Sequence, residues 1–132
     1  MLGELIGETK GKRLLRRVLS SEPLTAEVSF EESGNLFGVA YSGFGSYTAT
    51  ARPDGTVYGE GQGVAMTVEG EAVTWKGSGL GKLGAGGAIS YRGILYFRTA
   101  SQKLARLNNA PGVFEYEVDA AGNTTNKIWE WK

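Results

Sequence analysis

The chain contains no cysteine and no histidine. The first absence excludes disulfides, thiolate metal sites and a cysteine nucleophile, and it fits a reducing cytoplasm. The second excludes Ser-His and Cys-His catalysis and imidazole-bound metals, and it leaves no side chain with an unperturbed pKa near neutrality. Any chemistry falls to carboxylates, lysine, tyrosine or backbone dipoles, and no metal or cofactor is expected. An excess of charge is also missing. Fourteen basic residues balance fourteen acidic ones, so no overall field draws the chain to nucleic acid or to anionic lipid. The opening "MLGELIGETKGKRLLRRVL" has no long apolar run and carries Glu4 and Glu8, so it reads as neither a signal peptide nor a membrane span. A soluble cytoplasmic protein is expected.

Glycine, in contrast, is abundant. The 21 glycines lie among aromatic and β-branched residues and are not gathered into a linker. Turn signals recur about every dozen residues, at "SSEP", "SGN", "RPDG", "VEG", "LGAGG" and "AAGN". Between them lie runs that predict strands at about 5–19, 24–33, 36–51, 56–68, 71–82, 88–99, 113–119 and 124–131. Short strands joined by hairpins, in a chain of single-domain length, predict an all-β fold. The expected fold is one antiparallel up-and-down β-barrel of about eight strands spanning residues 1–132. One stretch, "SQKLARLNNAPG", predicts a short helix, with Ser101 as its cap and Asn109, Pro111 and Gly112 as its stop.

The hairpins assign the faces. In "ARPDGTVYG", Pro53 suits the first corner of a type I turn and Gly55 the following left-handed position. That register pairs Thr50 with Tyr58, Thr48 with Glu60 and Ser46 with Gln62. The opposite face then carries Tyr47, Ala49, Val57, Gly59, Gly61 and Gly63. A three-residue turn at "TVEGE" continues that face through Ala65, Val73, Trp75, Gly77 and Gly79, whereas a two-residue loop would swap the partners. One pairing across the 83–87 loop adds Ile89, Tyr91, Gly93, Leu95 and Phe97. Pairing Glu115 with Lys127 leaves Phe114, Tyr116, Val118 and Ile128 inside. The inner face is therefore apolar and ringed, with gaps at glycine. Such gaps let a sheet coil and leave room for rings or for a ligand.

Several motifs bear on chemistry. "GSGLGKL" fails as a phosphate loop, because Gly77 stands one place too close to Gly81-Lys82 and Leu83 stands where Ser or Thr must hold magnesium. Glu60 beside Gln62 is a weak catalytic candidate. It would gain a raised pKa if it faced an apolar lumen, but the register above turns it to solvent. The cluster Lys10, Lys12, Arg13, Arg16 and Arg17 reads as a charged edge strand more readily than as a nucleic-acid site, because leucines interrupt it and no ring lies within it. Trp129 and Trp131 are expected to face outward and to offer a contact for a homo-oligomer.

The segments "RPDGTVYGEGQGV", "TASQKLARLN" and "VFEYEVDAAGNTTNKIWEWK", with the start "MLGELIGE", resemble a set of small prokaryotic proteins without an assigned activity. In architecture the strand pattern and late short helix resemble calycin-like barrels of the lipocalin, avidin and allene oxide cyclase type. Such barrels include small-molecule binders and cyclases. Three functions remain open. The lumen binds a small, largely apolar molecule between Tyr47, Trp75, Tyr91, Phe97 and Tyr116. Alternatively the barrel is a cyclase or isomerase that confines its substrate, with Glu60 or Tyr91 as proton donor. Alternatively it is a structural or assembly protein.

Overall fold

The computed structural model describes all residues from Met1 to Lys132. Eight strands follow one another in chain order. They are β1 (Leu2–Ser21), β2 (Leu24–Leu36), β3 (Val39–Ala51), β4 (Thr56–Thr67), β5 (Ala72–Leu83), β6 (Ile89–Thr99), β7 (Gly112–Val118) and β8 (Asn123–Trp131). Each pairs antiparallel with its neighbour in sequence, and β8 returns to β1, so the sheet closes into a barrel. Closure removes the unpaired edges that an open sheet of this length would expose. One stretch of edge remains. The β1–β8 ladder ends at Lys12 opposite Asn123, and beyond it β1 pairs with β2 alone. That projecting hairpin carries Arg16 and Arg17 among exposed Leu14, Leu15 and Val18, a charged edge of the kind that resists strand addition.

The predicted hairpin registers match the ladders. Thr50 faces Tyr58, Thr48 faces Glu60, Ala65 faces Val73, Gly63 faces Trp75 and Glu115 faces Lys127. Gly55 and Gly70 both adopt positive φ, as the two three-residue turns require.

Two expectations are corrected. The first concerns the turn expected at "SGN". β2 runs on through it to Leu36, and the chain reverses at Phe37–Gly38 instead, with φ of 49° and 77°. Gly34 is not a corner. It lies where the β1 backbone at Glu8 approaches so closely that a β-carbon would collide with it.

The second correction concerns the expected helix at 101–109. Only a 3₁₀ turn forms there, Ala105–Asn109. The Asn108 side chain ties the segment back to β6, accepting from Thr99 N at 2.9 Å and donating to Thr99 O at 3.0 Å. Ser101 still accepts from the Leu104 backbone N–H, at 3.3 Å. Three residues per turn bring Leu104 and Leu107 onto one side. Both are fully buried against Leu36, Phe97 and Ile128, where they plug one end of the barrel. Arg106 pins the plug from outside, donating to Glu4 at 3.0 Å and Glu130 at 2.9 Å with its guanidinium 4.1 Å from the Phe37 ring centre. Toward the other end Val57, Tyr91, Tyr116 and Val118 form a second buried cluster. No helix is long and apolar enough to cross a membrane.

Candidate functional site

Alternation along the strands sends every second side chain into the barrel. On β4 and β5 the inward places are largely glycine, and rings from neighbouring strands lie in the gaps. A β-carbon on Gly63 would stand 2.5 Å from Trp75 Cζ2, and one on Gly81 would stand 2.8 Å from Tyr91 Cε1. The Phe114 ring similarly covers Gly79, whose β-carbon would lie 3.0 Å away. The glycines are needed because ring and backbone touch directly.

Tyr47, Tyr91 and Tyr116 meet above Phe30. The Tyr47–Tyr91 pair packs edge to face with centroids 5.7 Å apart, and Phe30 lies 5.8 Å from Tyr116 and 6.1 Å from Trp75. The rings do not fill the barrel. A cavity of about 80 Å³ remains. At roughly 10–15 Å³ for each water, that is room for several waters or one small ring. Tyr47, Trp75, Tyr91, Phe97 and Tyr116 all line it.

The cavity has two unlike sides. The β4–β5 side is glycine and aromatic carbon. The other side, on β7, β8, β2 and β3, mixes apolar Phe30, Leu36 and Ile128 with polar Glu32, Tyr116 and Asn126. Tyr116 pairs with Asn126, Asn126 with Thr9, and Gly11 with Glu32 in successive ladders. Thr9 donates its hydroxyl to Glu32 Oε1 at 3.0 Å, and Tyr41 donates to Oε2 at 3.4 Å. The Tyr116 hydroxyl, Thr124 Oγ1 and Asn126 Oδ1 are buried without a hydrogen-bond partner in good geometry, although Thr124 and Tyr47 stand near enough to the Tyr116 hydroxyl to affect its titration. Tyr116 and Asn126 border the cavity, where a polar occupant would complete their bonding.

Burial sets the titration of this wall. It raises the Glu32 carboxyl above its ordinary value of 4.5, and the bonds from Thr9 and Tyr41 offset only part of that rise. The Tyr47 phenol is pushed up by burial to about 12, with the nearby Arg13 charge opposing the shift. Tyr41 is raised well above 10.0, first by burial and then by the charge of Glu32. Tyr116 rises for the same first reason, with Tyr47 and Glu32 adding to it. These phenols are donors at any ordinary pH.

Glu60, the candidate acid from the sequence, borders the cavity between Gly59 and Gly61, but its side chain turns outward. It is exposed, and it accepts from the Tyr58 hydroxyl at 3.0 Å. Gly59 and Gly61 take the inward places on either side of it, so the two-residue period forces Glu60 out. Sequence reasoning missed Glu32, Thr9 and Tyr41. The signal was the inward row Val28, Phe30, Glu32, Gly34, Leu36, obscured because "FEESGN" reads as a charged stretch running into a turn. Trp129 and Trp131 lie on the outer face opposite Leu5 and Leu2 of β1. Trp129 is half-buried and Trp131 exposed.

No protein-family model matches the chain, and no curated protein sequence does. Solved structures do match in fold. A β-barrel-like protein from Acinetobacter baumannii superposes with a TM-score of 0.83 at 12% identity, covering 100% of this chain and 96% of that one. A conserved protein of unknown function from Rhodopseudomonas palustris gives 0.80 at 12% identity, covering 98% and 97%. An enzyme from Penicillium herquei gives 0.69 at 14% identity, covering 96% and 92%. At these identities the shared feature is the fold: this chain is an eight-stranded barrel of a form that also occurs in proteins of unknown function and in at least one enzyme.

Proposed function

We propose that the barrel binds a small, largely apolar molecule in its lumen and orients it through one polar group. The observation that carries this reading is the asymmetric cavity. Glycine and ring carbon lie on the β4–β5 side, and the Tyr116 hydroxyl and Asn126 Oδ1, which have no hydrogen-bond partner within the chain, border the cavity on the other. An apolar pocket with a few convergent polar groups is the usual form of a ligand site. At about 80 Å³ the cavity suits a single ring or a short chain. Pockets for drug-sized ligands are larger, roughly 300 Å³ or more.

Fluorescence of Trp75 tests the reading, in a chain where Trp129 and Trp131 are replaced by Phe so that one indole remains. Cyclopentanone, cyclohexanol and phenol are expected to perturb its emission saturably. Cyclohexane, which offers no polar atom, is expected to bind more weakly than cyclohexanol. Equal binding of the two would remove the role given to the polar wall. No saturable change with any of the compounds would remove the ligand reading.

A second reading is enzymatic, with the lumen confining a flexible substrate for cyclisation or isomerisation. The buried Glu32 carboxyl favours it, since a carboxyl with a raised pKa in an apolar site suits proton transfer near neutrality. The Penicillium herquei enzyme supports it as an analogy of fold.

A further inference from the structure

Of the two glutamates that line the cavity, Glu60 has an exposed side chain, whereas Glu32 is part-buried and bonded by Thr9 and Tyr41. A carboxylate has about four acceptor sites, and Thr9 and Tyr41 occupy one on each oxygen. Glu32 lines the same cavity as Tyr116 and Asn126. The cross-strand sequence Tyr116–Asn126–Thr9, with Thr9 bonded to Glu32, makes these groups neighbours on one patch of wall. A proton acceptor and a hydroxyl without a hydrogen-bond partner therefore border one cavity, and the glycine and ring surface opposite accepts a carbon skeleton. That is the arrangement needed to take a proton from carbon next to a carbonyl while holding the oxygen on which charge develops.

We propose that Glu32 is the acid–base group of the lumen, interconverting a small ketone and its enolate, whose oxygen is held by a hydrogen bond from the Tyr116 hydroxyl. This rests on the lumen-binding reading. The Glu32 carboxylate removes a proton from the carbon adjacent to the carbonyl. That C–H bond breaks, an O–H bond forms on Glu32, and the C–H electron pair becomes the C=C bond. The carbonyl π pair moves onto oxygen, where the Tyr116 hydroxyl donates to it. Return of the proton to carbon regenerates the ketone and the carboxylate, so no oxidant, reductant or co-reactant is consumed.

The titratable groups around Glu32 are Tyr41 and Tyr47 on β3 and Tyr116 on β7. Arg13 stands two places along β1 from Gly11, and β8 presents Asn126 and Thr124, which do not titrate. The phenols stay protonated where Glu32 ionises, so the rate is expected to follow one ionisation above 4.5.

Hydrogen–deuterium exchange at the α-carbon of cyclopentanone, followed by proton NMR in D₂O, tests the proposal on the full chain. The wild type is expected to exceed buffer at matched pH by about a hundredfold or more, and Glu32→Gln to fall back to nearly the buffer rate. Tyr116→Phe is expected to lower the rate without changing the single ionisation. Trp75 fluorescence reports in parallel whether the ketone is bound. Binding retained in Glu32→Gln with exchange lost supports the proposal. Binding in the wild type without exchange above buffer overturns it and leaves the lumen reading intact. Exchange that survives in Glu32→Gln overturns it too. If cyclopentanone and the other probes do not bind at all, the lumen reading fails, and this proposal fails with it.

Discussion

Thr9 on β1 donates its hydroxyl to the Glu32 carboxyl on β2 across 3.0 Å, inside the barrel and beside an aromatic cavity. A carboxyl placed there carries a cost to the fold, since burial disfavours its charged form.

That cost has a definite pH dependence. Between the ordinary value of 4.5 and the raised value of Glu32, the folded chain keeps a proton that the unfolded chain has released. Stability therefore falls as pH rises through that window. Glu32→Gln keeps one acceptor oxygen, replaces the other with an NH2 donor toward which a hydroxyl must turn its lone pair, and never ionises. It is expected to melt higher than the wild type at neutral pH, with the gap closing as pH drops below 4.5. Thermal melts of both proteins across acid and neutral pH check this. A gap that widens in acid would show that the carboxyl is stabilised in its charged form.

Tyr47 gives the corresponding behaviour in alkali. Its phenol ionises near 12 in the folded barrel and near 10.0 once unfolded. The folded chain binds the extra proton in that interval, so the contribution of Tyr47 is complete below 10.0 and is lost as pH climbs toward 12. Tyr47→Phe is expected to flatten this part of the alkaline unfolding curve. Denaturant melts at the two ends of the interval, compared with the wild type, measure it.

Gly63 and Trp75 share one space. Gly63→Ala puts a methyl group 2.5 Å from the indole, on a strand whose backbone is held on both sides. Such overpacking costs about 1–3 kcal/mol, and Trp75 must shift. A lower denaturation midpoint together with altered Trp75 emission is the expected result. An unchanged emission spectrum would mean that the ring is not seated on Gly63.

The plug at the far end is a packing feature. Leu104 is 1% exposed in a segment with little regular structure of its own, so the leucine anchors the segment. Leu104→Ala is expected to cost about 2–5 kcal/mol in equilibrium unfolding. Arg106→Gln, which removes exposed ion pairs and a ring contact, is expected to cost less, about 1 kcal/mol or under.

The sequence by itself determined the strand count, the registers of the β3–β4 and β7–β8 hairpins and the inward placing of Tyr47 and Tyr116, while the placing of Trp75, Tyr91 and Phe97 depended on which turns form at 67–71 and 83–87. Those follow from local chemistry. Glycine at a positive-φ turn position fixes a register, and the two-residue period then carries each face along its strand. The same period sends Glu60 outward.

Only the tertiary structure decided the polar wall. Thr9, Glu32, Tyr41 and Asn126 come from four strands, and two of them meet across the β8–β1 closure, which joins the two ends of the chain. β1 also departs from simple alternation at Arg13/Leu15 and Val18/Ser20, where the ladder shifts by a bulge. Counting along that strand therefore loses the face. How much space the rings leave depends on how they pack across the closed barrel, and no local pattern encodes that.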